Sequence, residues 1–232
     1  MDVDALAREL AEAIVRFEFA SPPFPPHVPA WVERVRTDMP EEFEAARDAF
    51  PALRTYDRTV HERVGDFDVY LYRVEPGAFA LLLFLRGTVL EYIAFAGSWF
   101  MLPEHVRKGS HFPPFDLTMM AVGARAEAEL DLQLGGLGTQ GDGPVGVGFE
   151  IERARYESLD EAAREALHQA CAPIARDAAL LVCGRSSPVT VRFVEPAGND
   201  VVVDDAGVQR VQFHVDTTKP GSGRDIAEFD IP

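Results

Sequence analysis

The sequence of 232 residues has little positive charge, and Lys108 and Lys219 are its only lysines. Its formal net charge is −16 at pH 7. Nucleic-acid binding requires cations that neutralise phosphates, and anionic membrane surfaces attract basic segments. The composition therefore argues against both of these partners. It favours a soluble protein, or one that meets a basic protein partner.

Cysteine is equally scarce, since the chain holds only Cys171 and Cys183. Both fall in one helical pattern, which would separate them by about 18 Å, too far for a disulfide. No run of about 20 apolar residues could cross a membrane, and the acidic start, Met1-Asp2-Val3-Asp4, is unlike a signal peptide. These features predict a cytoplasmic protein. The bias towards arginine and alanine is typical of a GC-rich bacterial genome.

The familiar catalytic motifs are missing as well. The sequence contains no Gly-x-Ser-x-Gly elbow, Walker loop, His-Glu-x-x-His or Cys-x-x-Cys motif, and no dinucleotide fingerprint followed by a βαβ unit. We therefore expect neither a cofactor nor a bound metal. Catalytic residues can lie far apart in a sequence, so an enzyme remains possible but is less favoured.

The clearest pattern is a three-stranded antiparallel meander between Phe67 and Phe95. Aromatic and β-branched residues fill three segments, at 67–74, 78–86 and 88–95. Glu75-Pro76-Gly77-Ala78 suits a type II turn, and Arg86-Gly87-Thr88-Val89 suits a two-residue hairpin loop that begins with glycine. These turns predict the register of the three strands.

In that register Leu71 lies opposite Leu82, which lies opposite Ile93, and Val69, Phe84 and Glu91 form the next row. Side chains alternate between the faces of a sheet. One face therefore collects three tyrosines, which are Tyr70, Tyr72 and Tyr92. They could be core rings with hydroxyl groups at the rim, or they could line a ligand pocket.

Glu91 is predicted on the other face, among apolar residues and diagonal to Arg86. A lone buried carboxylate is unfavourable, so we expect an ion pair between these two side chains at the sheet edge. The alternative is a general acid or base.

Helical patterns flank the meander, whose middle strand is apolar on both faces and needs cover on both. Residues 1–55 predict a first helix with Asp2 as its N-cap, a proline-rich connector over 21–29, a short helix near Trp31 and another from Pro40. Residues 159–182 predict one helix, kinked at Pro173 and opened by a capping box from Ser158 to Glu161. Within it Cys171 is expected in the core and His168 towards solvent or on the flank of the helix.

Residues 120–134 alternate between apolar and polar side chains, which predicts a long, half-exposed strand. The glycine-rich stretch that follows lacks Gly-Lys-Ser/Thr and precedes another strand pattern, so a flexible hairpin tip is favoured over a phosphate cradle. The resulting ribbon, whose loop spans 135–148, could serve as a partner-binding arm.

Further strands are predicted at 58–64, 189–194, 201–203 and 208–215. Together these patterns predict an α+β fold. Its mostly antiparallel sheet comprises the meander 67–95 and the later strands, covered by the N-terminal helices and the proline-kinked helix 159–182. We expect N-terminal helices over 1–55, a core over 56–215 and a flexible or docking tail over 216–232, all in one domain.

The most basic window of this acidic chain runs from Glu104 to His111 and contains His105, Arg107 and Lys108. If any loop binds an anion or transfers a proton, this composition favours this one. The alternative is an exposed loop of ordinary polarity. Two histidines without a third matched ligand indicate a metal only weakly.

Three functions are compatible with these patterns. The favoured one is a cytoplasmic interaction protein, like an immunity or adaptor protein, that binds a basic partner by charge complementarity. The second is a small-molecule-binding protein or enzyme. Its catalytic candidates are Glu91, His105 and His111, and its ligand-binding candidates are Tyr70, Tyr72, Tyr92, Arg107 and Lys108. The third is a structural subunit of a homo-oligomer that exchanges its tail or ribbon.

Overall fold

The fold is taken from a computed structural model, which describes residues 2–15, 18–19, 24–38, 40, 55–75, 79–96, 113, 115–139, 143–183, 188–196, 199–203, 209–213 and 225–231. The predicted basic loop at 104–111, the helix beyond Pro40 and the linker at 219–223 lie outside the described residues. The chain divides into two compact units. The first is Met1–Glu129 with Leu180–Arg185, and the second is Leu130–Ala179 with Ser186–Pro232.

The first unit is built on an antiparallel sheet with the strand order β1-β2-β3-β4. Its strands are β1 (Thr55–Val64), β2 (Phe67–Glu75), β3 (Phe79–Arg86) and β4 (Val89–Ala96). The predicted meander is confirmed, and β1 adds a fourth strand to it. Two-residue loops that begin with glycine join β1 to β2 and β3 to β4, and both glycines have a positive φ, 62° at Gly65 and 61° at Gly87.

The predicted register is confirmed in part. Leu71 lies opposite Leu82 as expected, but Leu82 lies opposite Ala94 instead of Ile93. The pairing of β3 with β4 shifts by one residue between Phe84 and Leu85, because Glu91 has no partner across the strands. Such an extra residue is a β-bulge, which interrupts the alternation of side chains. Val89 and Leu90 keep the predicted pairing, and beyond the bulge, from Tyr92 onwards, the predicted faces of β4 are exchanged.

One face of this sheet is covered by α1 (Val3–Val15), as the sequence predicted. The backbone N–H of Asp4 donates to Asp2 Oδ1 at 3.2 Å, which confirms Asp2 as the N-cap. The apolar stripe of α1 packs with Val28 against the sheet. The buried cluster comprises Leu6, Ala7, Leu10, Ala11, Ile14, Val28, Tyr70, Tyr72, Leu81, Leu83, Leu85, Leu90 and Ile93. Burial of each leucine or isoleucine side chain stabilises the fold by about 1.5–3 kcal/mol.

The second helix, α2 (His27–Asp38), begins inside the segment predicted as a proline-rich connector. Pro29 falls in its first turn, where the missing N–H of proline has no intrahelical partner to lose. The predicted extent of the connector, to residue 29, is therefore wrong at its end.

The predicted strand at 120–134 is wrong. This segment is largely helical, because α3 spans Phe115–Leu130 and the next strand starts only at Gln133. The alternation of alanine with acidic residues fits a period of two, but alanine and glutamate also favour helices. The buried residues follow a helical stripe that the alternation concealed. They are Leu117, Thr118, Ala121, Val122 and Ala126.

The helix α3 ends at Leu130, and the next residue, Asp131, adopts a left-handed conformation with φ of 54°. Arg155 Nη1 donates to the backbone oxygen of Asp131 at 2.9 Å, and its Nη2 to that of Leu130 at 3.4 Å. An arginine from a later helix thus satisfies carbonyl groups that a helix end leaves without intrahelical donors.

The second unit contains a four-stranded sheet with the order β10-β7-β6-β5. Its strands are β5 (Gln133–Thr139), β6 (Val145–Glu150), β7 (Val189–Val194) and β10 (Asp225–Ile231). The pair β6–β7 is parallel and the other pairs are antiparallel. The short strands β8 (Asn199–Val203) and β9 (Gln209–Phe213) form a separate antiparallel pair. The α+β class with mostly antiparallel sheets is confirmed, although the later strands form sheets of their own.

The glycine-rich stretch after residue 134 is a strand where the sequence predicted a loop. Gly135, Gly136 and Gly138 lie within β5, which pairs with β6 in a ribbon that replaces the predicted one of strand 120–134. The tail beyond the predicted linker docks as β10, at the opposite edge of this sheet. The domain boundaries predicted at 55 and 215 stay predictions.

Two helices connect the parallel strands β6 and β7, namely α4 (Arg153–Glu157) and α5 (Glu161–Cys183). Helix α5 continues through Pro173, which confirms one helix over this segment. Its predicted capping box is wrong. Asp160 Oδ1 accepts from the backbone N–H of Ala163 at 2.8 Å, whereas the Ser158 hydroxyl donates to the backbone of Arg155 at 2.7 Å. Asp160 is therefore the N-cap.

Cys171 is fully buried in α5, as predicted, and is a free thiol. Among the described residues, no helix combines the length and the apolar character needed to cross a membrane.

Candidate functional site

Four of the predicted site residues are described, and all four lie in the first unit. They are Glu91, Tyr70, Tyr72 and Tyr92. The remaining four, His105, Arg107, Lys108 and His111, fall outside the described residues. The predicted grouping of three tyrosines on one face is wrong, because the bulge at Glu91 places Tyr92 opposite Phe84. Tyr92 therefore shares the other face with Phe67 and Phe84, whose ring centroids lie 6.0 and 6.1 Å from its own.

Glu91 is held between two arginines. Its Oε1 lies 3.6 Å from Arg86 Nη1, which confirms the predicted ion pair, and its Oε2 lies 3.0 Å from Arg125 Nη1. Arg86 also contacts Asp66 Oδ2 at 2.8 Å. The sequence did not predict the contribution of Arg125, which comes from α3 on the face that carries Tyr92.

Arg125 connects this ion pair to two further groups. Its Nε donates to Glu129 Oε1 at 3.0 Å, and its Nη1 donates to the Tyr92 hydroxyl at 3.2 Å. Burial acts to lower the pKa of Arg125, but Tyr92, Glu129 and Glu91 outweigh that effect and raise it. The only indication of the role of Arg125 in the sequence was the position of this arginine between two alanines. We call Arg86, Glu91, Arg125, Glu129 and His27 the charged cluster.

His27 is the most buried member of the charged cluster, with 3 % of its side chain exposed. Its Nδ1 lies 3.6 Å from Glu129 Oε1, and neither ring nitrogen has a hydrogen-bond partner among the described residues. Burial lowers the pKa of His27, and the nearby charge of Arg125 lowers it further. The neutral ring is the favoured form in this position.

The contacts within the charged cluster favour a structural role over a role in proton transfer. A general base needs a lone pair directed at a substrate, whereas both carboxylate oxygens of Glu91 face guanidinium groups. Because both of its oxygens are paired with arginines, the Glu91 carboxylate links β4 to α3. This geometry favours the structural interpretation of Glu91 over the catalytic one.

On the opposite face, Tyr70 and Tyr72 are packed in the core with 1 % and 2 % exposure. The Tyr70 hydroxyl donates to Asp4 Oδ1 at 2.8 Å at the rim of the sheet. Burial, followed by this hydrogen bond, raises the pKa of Tyr70. Both rings therefore match the core interpretation, with a hydroxyl group at the rim.

A histidine lies beside this rim. The His61 ring stacks on Tyr70 with centroids 4.2 Å apart, and its Nε2 lies 3.1 Å from Asp68 Oδ1. Its Nδ1 lies 3.9 Å from Asp4 Oδ1. Across the part of the chain that the structure describes, no group of three or more histidine, cysteine or acidic side chains is placed to hold a metal ion.

The second unit holds an aromatic group that the sequence did not predict. The His168 ring stacks on Phe229 with centroids 4.2 Å apart and lies 5.5 Å from that of Phe193. Its Nε2 lies 3.0 Å from the Tyr156 hydroxyl, and burial lowers its pKa. The sequence placed His168 towards solvent or on the flank of the helix, and the residue is half-buried with its ring against these aromatic side chains. These ring contacts connect β10 with α4 and α5.

No protein-family model, curated protein or solved structure matches this chain. Function must therefore be argued from the arrangement of its own residues.

Carboxylates dominate the exposed charged side chains wherever the structure describes side-chain burial. Within that set, the exposed arginines are Arg8, Arg63, Arg155 and Arg176. The exposed acidic side chains are far more numerous and occur in both units. They are Asp2, Asp4, Glu9, Glu18, Glu33, Glu62, Asp66, Glu129, Asp131, Glu152, Glu157, Asp160, Glu161, Glu165, Glu228 and Asp230.

Several arginines that are not fully exposed are engaged by carboxylates. Arg153 contacts Glu195 at 3.2 Å, and Arg192 contacts Glu228 at 3.3 Å, as Arg86 and Arg125 do within the charged cluster. Among the side chains whose burial the structure describes, exposed carboxylates therefore outnumber exposed guanidinium groups.

Proposed function

We propose that this protein acts by non-covalent binding of a basic protein partner, in the manner of an immunity or adaptor protein. The observation that carries the proposal is the excess of exposed carboxylates over exposed arginines on both units. Opposite charge across an interface accelerates association and selects against partners of the wrong sign. The same surface disfavours nucleic acids, whose phosphates carry the same charge.

Glu91 is the one catalytic candidate among the described residues, and its engagement supports binding over catalysis. Glu91 lies between two arginines, and Tyr70 and Tyr72 are core residues, so the proposed pocket on the tyrosine face would have little exposed ring surface to offer. The free, buried Cys171 is compatible with the cytoplasm as the proposed compartment.

Affinity capture at low salt, followed by identification and reconstitution of the partner, tests this function. The expected partner is a basic protein that binds in a fixed ratio and elutes as the salt concentration rises. Attraction between exposed charges is screened over about 8 Å at physiological ionic strength, so binding should weaken steadily with added salt. A partner of acidic composition, or one whose affinity does not change with salt, would contradict the proposal.

A further inference from the structure

The first turn of α2 is anchored in the first unit by two neighbouring side chains. His27 is 3 % exposed, and Val28 is fully buried in the cluster that α1 forms with the sheet. The other side chains of α2 whose burial the structure describes are all exposed, namely Pro29, Ala30, Glu33 and Thr37. Burial in the described part of α2 is therefore confined to His27 and Val28, which we call the α2 anchor.

Charged and polar groups of two other elements face His27. From α3, the Glu129 carboxylate lies 3.6 Å from Nδ1, and the Arg125 guanidinium is close enough for its charge to act on the ring. From β4, the Tyr92 ring centroid lies 6.3 Å away, and the backbone oxygen of Glu91 faces the imidazole. Across the described residues, no group completes a hydrogen bond to either ring nitrogen. The neutral ring can therefore leave this position without the loss of a hydrogen bond.

A proton on His27 would place a cation near that of Arg125, in a position closed to water. Burial first, and then the charge of Arg125, lower the pKa of His27. The carboxylate of Glu129 and the backbone oxygen of Glu91 act in the opposite direction but are outweighed. His27 is also the first residue of α2, and the partial positive charge at a helix N-terminus disfavours a cation. The imidazolium is therefore more stable in water than in this position.

The protonated ring can reach water in two ways. Unfolding of the first unit exposes its whole core, whereas release of the α2 anchor exposes two buried side chains. The free energy of an opening rises with the apolar surface that it exposes, so release of the anchor is the less costly route. Protonation should therefore act on the first turn of α2 before it acts on the sheet.

We propose that the α2 anchor is a pH-sensitive switch. With a neutral His27, the anchor holds the first turn of α2 against α3 and β4. Protonation of His27 releases this turn and exposes Val28 to water, while the sheet stays folded. The switch is a property of this chain alone, so it goes beyond the proposed binding function and does not depend on it.

Hydrogen exchange of the full-length protein, followed by NMR at pH 7.5, 6.5 and 5.5, tests the switch. The amides of Val28 and Ala30 report on the turn, because they donate to the backbone oxygens of two preceding prolines at 2.9 and 3.3 Å. Amides at the centre of β2 and β3 report on unfolding. After correction for intrinsic exchange rates, the protection of the turn amides should fall by up to about five-fold from pH 6.5 to pH 5.5. Low concentrations of urea should hardly change it, since a local opening exposes little surface.

Three variants assign the effect to His27. In His27→Gln the side chain is neutral at every pH, so the protection of the turn should no longer fall, whatever its level at pH 7.5. In Glu129→Gln the carboxylate that favours the imidazolium is gone, so the fall should be at least as large as in the wild type. His168→Gln is the matched control, because it removes a histidine of the second unit whose pKa is also lowered by burial. This control should leave the fall unchanged.

Several results would overturn the switch. It is wrong if the protection of the turn does not fall in the wild type, or if the fall persists in His27→Gln, shrinks in Glu129→Gln or disappears in His168→Gln. It is also wrong if the turn amides exchange only together with the sheet, with the same dependence on urea. Protection that rises as the pH falls would mean that the imidazolium stays in place, paired with Glu129, and would equally contradict the proposal.

Discussion

Arg125 Nη1 lies 3.0 Å from Glu91 Oε2, which joins α3 to the strand β4 across 34 residues of sequence. The bulge makes this contact possible, because Glu91 and Tyr92 are neighbours in the chain and both contact the same guanidinium group. In a regular strand, adjacent side chains would point to opposite faces. One extra residue thus turns two side chains towards one helix.

The substitution Arg125→Met should destabilise the protein by about 2 kcal/mol or more, because it leaves a mostly buried carboxylate with one partner fewer. Arg153→Met is the matched control, since the pair of Arg153 with Glu195 is more than a third exposed on both sides and should contribute about 0.5 kcal/mol. Urea unfolding of both variants measures the difference. Equal losses would mean that the charged cluster contributes no more than a surface ion pair.

His27 should make the protein less stable as the pH falls. Because burial lowers its pKa in the folded state, the unfolded chain takes up a proton first, near the ordinary value of 6.5. The contribution of the neutral His27 to the free energy of unfolding is therefore complete above pH 6.5. Below that pH it is lost, at up to about 1.4 kcal/mol per pH unit. His168, whose pKa is also lowered, acts in the same direction.

The comparison of the wild type with His27→Gln isolates this effect. Unfolding free energies are measured at pH 7.5, 6.5 and 5.5, where most carboxylates remain charged. The variant should have a shallower slope, whatever its stability at pH 7.5. Identical slopes would show that His27 does not titrate differently on folding.

Gly65 and Gly87 form a natural pair for comparison, since both begin two-residue loops with nearly the same φ. Alanine at either position should cost about 1 kcal/mol, because a Cβ is strained at positive φ. A Cβ on Gly65 would also lie 2.7 Å from Leu180 Cδ2, whereas nothing lies within 4 Å at Gly87. Displacement of Leu180 from its rotamer should add about 0.5–1.5 kcal/mol.

A double-mutant cycle tests the contact of Gly65 with Leu180. In a Leu180→Ala background, Gly65→Ala should be no more destabilising than Gly87→Ala, because the obstructing methyl groups are gone. If the excess persists in that background, its origin lies in the backbone and not in Leu180.

Cys171 should resist thiol reagents in the folded protein. Burial raises its pKa to about 12 and removes access to the sulfur. In a Cys183→Ser background, labelling at pH 8 should proceed only at the rate of unfolding and become rapid in denaturant. Fast labelling of the native protein would contradict the burial of this thiol.

The sequence predicted the elements whose pattern has one dominant period. The stripe of α1, the long helix through Pro173 and the meander are of this kind, because burial on one face leaves a clear spacing of apolar residues. The apolar residues of 120–134 fit both a period of two and a helical period. The strand interpretation was wrong, because alanine and glutamate favour a helix. Local spacing could not decide between the two periods, because the contacts of α3 with β4 are long-range.

The candidate site was less accessible to sequence analysis. The pair of Arg86 with Glu91 could be predicted because a tight turn brings the two residues together. The pair of Arg125 with Glu91 depends on a long-range contact and on a bulge that the turn does not encode. The same bulge separates Tyr92 from the other two tyrosines, so one register shift changed the composition of the predicted pocket.

The central claim is that the exposed carboxylates select a basic partner, and the dependence of the association rate on ionic strength tests it most directly. The comparison is between the wild type and a variant with Glu152, Glu157, Glu161 and Glu165 changed to glutamine. Four negative charges are removed, so the net charge changes from −16 to −12. At low salt, the variant should bind the basic partner more slowly than the wild type does. Its association rate should depend less on the salt concentration, and the two rates should converge at high salt. Rates that are equal at low salt, or that do not change with salt for either protein, would contradict the claim.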